Sequence, residues 1–291
     1  MSPVVLVTGA GGQLGAEVLA ELERRSAAMV RGPGLEVVGA DRAHLDVSDR
    51  DAVLAAVTEL EPDIVVHAAA WTAVDACEDD PDRAYAVNAL GTRHVAEAAR
   101  IVGAHVAYVS TDYVFDGRSD RPYCEWDPPG PLSVYGASKL GGERELSPGA
   151  TIVRTSWVCG RTGSNIVRTL LGLVASGAPL RFVDDQRGSP TVAGDLAGVL
   201  VELALTRRPG TFHVTNSGAA SWYELARAVV AACGADPDRV EPVATADLRP
   251  PRRAPRPARS VLDNMALRLS GFEALRPWQE AVEELVGELT R

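Results

Sequence analysis

Val4-Val-Leu-Val-Thr-Gly-Ala-Gly-Gly-Gln-Leu-Gly15 joins a short β-rich run to a glycine-rich turn, and an amphipathic helical pattern follows. Strand, turn and helix in that order open an α/β fold that receives a dinucleotide. The glycines have a mechanical purpose. A side chain at the turn would hold a pyrophosphate away from the backbone amides at the helix N-terminus, where free N–H groups and the helix dipole attract it. The spacing is Gly9-x-x-Gly12-x-x-Gly15, one residue wider at its start than the simplest turns of this kind. The residues expected to face a cofactor here are Gly9, Gly12, Gln13, Leu14 and Gly15.

Outward from this turn, β-rich runs alternate with helical patterns through the first half of the chain, the signal for a parallel sheet covered by helices on both faces. Strands are expected at 4–8, 35–40, 64–68, 105–110 and 151–155, each apolar enough to be buried on both sides. Ser48 is read as a helix cap with Asp51 in the first turn, and Asp80-Pro81 as an acceptor before a proline at the first helical position. Beyond about residue 160 the alternation weakens, and helices are expected near 165–175, 193–205, 221–233 and 277–289. The fold class is therefore α/β, a Rossmann-type doubly wound parallel sheet over residues 1–160 with a smaller lobe over 161–291, some segments of which return to the sheet. Arg249 to Arg259, rich in arginine and proline, cannot form a helix at that proline density.

A chain of 291 residues with 46% apolar residues can bury a large core. Its net charge of −10 argues against a general nucleic-acid or membrane-surface binder, which needs a positive field facing phosphates. Cys77, Cys124, Cys159 and Cys233 lie far apart, so neither zinc nor a disulfide framework is indicated and buried free thiols are expected. No metal site is expected. The N-terminus lacks a signal segment and no stretch is long enough to span a bilayer, which fits a cytoplasmic protein with a small-molecule partner.

The second expected strand ends in Gly39-Ala-Asp41-Arg42. Asp41 would accept from the adenosine ribose, favouring NADH, whereas Arg42 can receive the 2′-phosphate of NADPH. Use of both cofactors follows. Asp46 and Val47 would flank the adenine, and Ala68, Ala70, Trp71 and Thr72 would lie along the nicotinamide side.

Tyr135-Gly-Ala-Ser-Lys139 places a phenol and an ammonium four residues apart, on one helix face. The ammonium is expected to lower the phenol from its usual value of about 10, making it a proton donor near neutral pH. With Ser110-Thr111 at the end of the fourth strand, this points to carbonyl reduction, Thr111 hydrogen-bonding the ketone oxygen.

Asn88, Ser110 to Gly117, Val134 to Lys139, Arg154-Thr-Ser-Trp157, Asp185-Gln-Arg-Gly-Ser-Pro190 and Ser260-Val-Leu-Asp263, together with the cofactor turn, resemble the dTDP-4-dehydrorhamnose reductase family of the extended short-chain dehydrogenase/reductase superfamily. The resemblance runs along nearly the whole chain. It implies reduction of a dTDP-linked 4-keto-6-deoxy sugar by Thr111, Tyr135 and Lys139, and allows a homodimer. It also implies substrate contacts from Asp112, Tyr113, Trp157, Gln186, Arg256, Arg259 and Ser260. Because a diphosphate is negative and the chain is otherwise acidic, the basic stretch 249–259 is expected to be mobile without substrate and to close over the nucleotide, with Arg256 or Arg259 near the phosphates. Trp71, Ala76, Cys159 and Arg259 depart from the family's usual residues, which leaves the sugar open and admits an antibiotic-sugar relative such as a dTDP-dihydrostreptose synthase. A dehydratase or epimerase of the same superfamily is the enzymatic alternative. A non-catalytic NADP-binding regulatory subunit is the other.

Overall fold

The computed structural model describes residues 2–28 and 34–291. One sheet holds β1 (Val4–Thr8), β2 (Glu36–Ala40), β3 (Ile64–His67), β4 (His105–Thr111), β5 (Thr151–Thr155) and β6 (Gly210–His213). Their spatial order is β6-β5-β4-β3-β1-β2, and every neighbouring pair is parallel. The first five match the sequence expectation to within a residue at each end. β6 was not expected as a strand: Gly210-Thr-Phe-His213 is short and only half apolar, and its pairing with β5 completes it.

Among the described residues, eight longer helices surround the sheet and extend beyond it: α1 (Gln13–Ala28), α2 (Arg50–Leu60), α3 (Gly91–Val102), α4 (Val134–Arg144), α5 (Ile166–Ser176), α6 (Ala193–Leu205), α7 (Trp222–Ala232) and α8 (Trp278–Leu289). Strand periodicity sends alternate side chains to opposite faces. Val5 and Val7 of β1 join a cluster with Leu22 of α1 and Leu200 of α6, while Leu6 joins Val53 and Val57 of α2 and Val95 of α3 on the other face. Both faces are thus dry, and truncating Leu200 to alanine would cost about 2–5 kcal/mol through the cavity left behind.

Helix starts follow capping chemistry. α2 is capped by Asp49, whose carboxylate accepts from Ala52 N at 3.1 Å, and not by Ser48. The Ser48 hydroxyl is already given to Asp46 Oδ1 at 2.6 Å. Asp80 does cap the short helix Pro81–Tyr85, with the proline in its first turn. Ser221 and Glu224 form a reciprocal capping box at the start of α7.

Helices α5, α7 and α8 build a second core, with Leu170, Leu225, Val229, Val282 and Leu285 buried around a parallel strand pair, Leu180–Val183 with Val240–Val243. Residues 249–259 form no helix. Cys77 and Cys159 are buried as expected, but Cys124 and Cys233 are half-buried; all four are free thiols. Among the described residues, no helix is long and apolar enough to cross a membrane.

Candidate active site

Strand order reverses around β1, which has β2 on one side and β3 on the other. The crevice beyond the C-terminal ends of such strands is where α/β sheets hold ligands. Gly9, directly after β1, has φ +72°, and a Cβ there would lie 2.6 Å from Ala69 N just past β3. Only glycine lets the two loops meet. Gly12 N donates to Gly9 O at 2.9 Å and Ala16 N to Gly12 O at 3.0 Å, so α1 begins with its free first-turn amides at the crevice.

Two cavities, of about 430 and 390 Å³, share Gly9, Gly12, Ala68 and Ala70 as common walls. The first is lined by Asp41, Arg42, Asp46, Val47 and Trp71. The second is lined by Gln13, Leu14, Gly15, Thr72, Thr111, Asp112, Tyr113, Tyr135, Lys139 and Trp157. All the expected cofactor residues therefore lie along one continuous cleft. Gln13 donates to Val158 O at 3.3 Å, but its Oε1 is buried and has no partner. A glycine-rich turn, a helix N-terminus and an orphaned acceptor fit a dinucleotide.

Asp41 Oδ1 accepts from Ala43 N, His44 N and His44 Nδ1 at 2.9, 3.1 and 2.7 Å, and His44 holds its carboxyl below the usual range. One oxygen shapes the turn while the other, Oδ2, lies on the side of Gly11. Arg42 reaches Asp46 at 3.5 Å and is largely exposed.

Asn88 ties the end of β3 to α4. It sits in a π-helical segment, Ala86–Leu90, whose extra residue turns it inward. Its Oδ1 accepts from Trp71 N at 2.8 Å, and its Nδ2 donates to Trp71 O at 3.1 Å and Ser138 Oγ at 2.9 Å. Arg83, which sequence reasoning passed over, lies 4.4 Å over the Trp71 ring and lines the first cavity.

At the reacting end, Ser133 caps α4 by accepting from Gly136 N at 3.2 Å, which sets Tyr135 in the first turn and Lys139 one turn on. Burial raises the Tyr135 phenol well above its usual value; the Thr111 hydroxyl opposes this, and Asp112 and Tyr113 add to it. Lys139 is 2% exposed, its Nζ lies 4.1 Å over the Tyr108 ring, and burial pushes its ammonium down to about 7 against the pull of Glu143. The expected lowering of the phenol by Lys139 is thus not what this geometry produces. Desolvation dominates both groups, and the ammonium faces Tyr108.

Asp112 is 1% exposed. Its carboxylate accepts from Thr111 Oγ1 at 3.1 Å, Ser156 Oγ at 2.9 Å and Ser260 Oγ at 2.5 Å, and burial nevertheless pushes it up to about 6. The Ser260 hydroxyl is therefore spent on Asp112 rather than offered to a ligand.

Trp157 adopts φ +47° and stacks on Trp222, ring centroids 3.6 Å apart and planes 10° from parallel. Against the same ring lies Gly188, where a Cβ would come 2.4 Å from Trp157 Cε2. Trp222 also lines the cavity. Sequence reasoning missed it because only folding brings it to Trp157.

Three further expected substrate residues stand outside the cavity wall. Gln186 is buried and donates to Thr245 Oγ1 at 2.8 Å. Arg256 closes its fork on Asp75 at 2.6 Å for both contacts, which neutralises the charge expected to meet a diphosphate. Arg259 N donates to Gly117 O at 3.2 Å, and the residue bridges Arg187 by backbone pairing. Residues 249–259, expected to close as a loose flap, are fastened by these contacts, by Arg253 on Asp79 and by Ala254 N on Asp75 Oδ1 at 3.0 Å.

Residues 3–291 match the family model described as RmlD substrate binding domain. The chain is 45% identical to a dTDP-4-dehydrorhamnose reductase of Streptomyces griseus, over 97% of this chain and 92% of the relative. It is 42% identical to a probable dTDP-4,6-dihydroxy-2-methyloxan-3-one 4-ketoreductase of Streptomyces antibioticus, over 96% and 93%. The crystal structure of dTDP-4-dehydrorhamnose reductase from Bacillus anthracis in complex with NADP superposes with a TM-score of 0.92 at 37% identity, covering 99% of this chain and all of that one.

Proposed function

Since this chain belongs to the family of the RmlD substrate binding domain, we propose that it reduces the ketone of a dTDP-linked 4-keto-6-deoxy sugar to an alcohol, using NADH or NADPH. The observation that carries this reading is the single cleft that runs from the Gly9 turn to Thr111, Tyr135 and Lys139. Gly9, Gly12 and the first turn of α1 would hold the pyrophosphate, Asp41 and Arg42 the adenosine end, and Trp71 and Thr72 the other half of the cofactor. When bound, the reduced nicotinamide supplies the hydride.

Tyr135 keeps its proton across the neutral range because its phenolate is disfavoured by burial. It gives that proton to the carbonyl oxygen as negative charge develops there. Carbon gains the hydride, oxygen gains the proton, and the ketone becomes an alcohol. Lys139, whose ammonium burial pushes down to about 7, would hold the ribose hydroxyls of the bound cofactor by donating hydrogen bonds to them. Trp157, backed by Trp222, forms an aromatic wall for the sugar. We take residues 161–291 as mainly the sugar-nucleotide lobe and place the enzyme in the cytoplasm.

Against a dehydratase, the residue after Asp112 is Tyr113, whose phenol burial pushes up to about 12, so it is no base at neutral pH. Purified protein incubated with reduced cofactor and a panel of dTDP-linked 4-keto-6-deoxy sugars should oxidise the cofactor only when a sugar is present, with no added metal. Cofactor binding without oxidation by any sugar would instead identify a regulatory subunit.

A further inference from the structure

Arg83 belongs to the short helix Pro81–Tyr85 and to none of the motifs from which the cofactor site was expected. Its guanidinium carbon lies 4.4 Å over the Trp71 ring, and the residue lines the first cavity together with Gly9, Gly11 and Gly12. The ring it rests on is anchored, because Asn88 bonds both the backbone N–H and the carbonyl of Trp71. A guanidinium stacked on an indole keeps the N–H donors of its edge free for an anion. Among the described residues no carboxylate takes up that edge. Asp79 pairs with Arg253, and Asp80 Oδ1 accepts from the Arg83 backbone N–H at 3.0 Å.

The charge balance of the cavity shows what the free edge is for. The other charged side chains of its lining are Asp41, Asp46 and Arg42. His44 holds the Asp41 carboxyl below its usual range and Ser48 does the same for Asp46, so both are ionised at neutral pH. Arg42 is the single cation set against them, and it reaches Asp46 at 3.5 Å. Without Arg83 the wall is net negative and repels a phosphate. With Arg83 it is balanced.

Position along the cleft decides which phosphate. Arg42 follows β2, at the adenosine end. Trp71 follows Ala70, which with Gly9, Gly12 and Ala68 forms the wall shared by the two cavities. In a dinucleotide the group between the two nucleoside halves is the diphosphate. We propose that Arg83 binds the diphosphate of the cofactor from the Trp71 side of the cavity, with Trp71 as the platform that aims its guanidinium. This rests on the dinucleotide part of the function proposed above. The glycine turn and the first turn of α1 offer neutral backbone donors; Arg83 adds the charge that two carboxylates otherwise outweigh. Since NADH and NADPH share the diphosphate, Arg83 strengthens both alike and leaves the choice between them to Asp41 and Arg42.

The test is isothermal titration of NADH, NADPH and ADP into the parent, Arg83→Ala and Arg83→Lys at several salt concentrations, with no sugar present. The Arg83 side chain is exposed and unpaired among the described residues, so both variants keep the fold. Arg83→Ala should weaken all three ligands about tenfold and by a common factor, and the loss should shrink as salt rises. Arg83→Lys keeps the charge without the fork and should recover part of the loss. A loss confined to NADPH would place Arg83 on the 2′-phosphate and overturn the proposal, as would unchanged affinities or a loss that is the same at every salt concentration. A parent that binds neither cofactor would overturn the dinucleotide reading and this role together. A parent that binds both yet reduces no keto sugar would sink the reductase reading alone, and the titrations would still decide the role of Arg83.

Discussion

Tyr135 is the residue on which the chemistry converges, and its conservative replacement separates proton donation from packing. Tyr135→Phe keeps the edge-on contact with Tyr113, whose ring centroid is 5.7 Å away, yet removes the acid. Steady-state turnover should fall about 100-fold or more, the range of a general acid, while the thermal midpoint changes little. Near-normal turnover would move proton donation elsewhere. Lys139 carries the opposite trade. Its amine is lowered from 10.5 to about 7, so the folded state binds fewer protons than the unfolded chain between those values. The resulting destabilisation is full below pH 7 and vanishes above about 10.5. Lys139→Met should therefore raise thermal stability at pH 7, with a gain that shrinks as pH climbs, and should abolish turnover. A midpoint gain that is flat with pH would mean that the ammonium is not desolvated.

Among the elements, the short strand Arg187–Gly188, paired antiparallel with Ala220–Ser221, and the first turn of α7 act together on Trp157. Gly188→Ala would place a methyl 2.4 Å from the indole, forcing the ring to shift within its stack at an overpacking cost of about 1–3 kcal/mol. The stacked indoles should give a coupled near-UV circular dichroism signal that this substitution weakens, together with a higher KM for the sugar nucleotide. An unchanged spectrum and KM would show that the pair does not wall the site. At α2, Asp49→Ala should cost about 1 kcal/mol in urea unfolding, whereas Ser48→Ala should cost less. Position alone could not separate these two residues in the sequence. Both are good caps, and the choice was made by Asp46, which had already taken the Ser48 hydroxyl.

Across the whole molecule, the tie between Asp75 and Arg256 joins segments 181 residues apart and secures a basic stretch to the cofactor half. Asp75→Asn should loosen it, and trypsin should then cut at Arg252 or Arg253 faster than in the parent. Equal cleavage rates would mean that Arg253 on Asp79 and the Arg187 to Arg259 bridge hold the segment without it. The strands β1 to β5, the Gly9 turn, the four later helices and the one-turn spacing of Tyr135 and Lys139 were legible in the sequence, because periodicity, capping and the spacing of a turn are local properties of a chain. The family resemblance rested likewise on motifs read in order. Strand β6, the stack of Trp222 on Trp157, the engagement of Ser260 by Asp112 and the loss of Arg256 to Asp75 were settled only by tertiary structure. Each depends on which distant partner reaches a polar or aromatic group first once water is excluded, and burial, not a neighbouring ammonium, sets the state of the Tyr135 phenol.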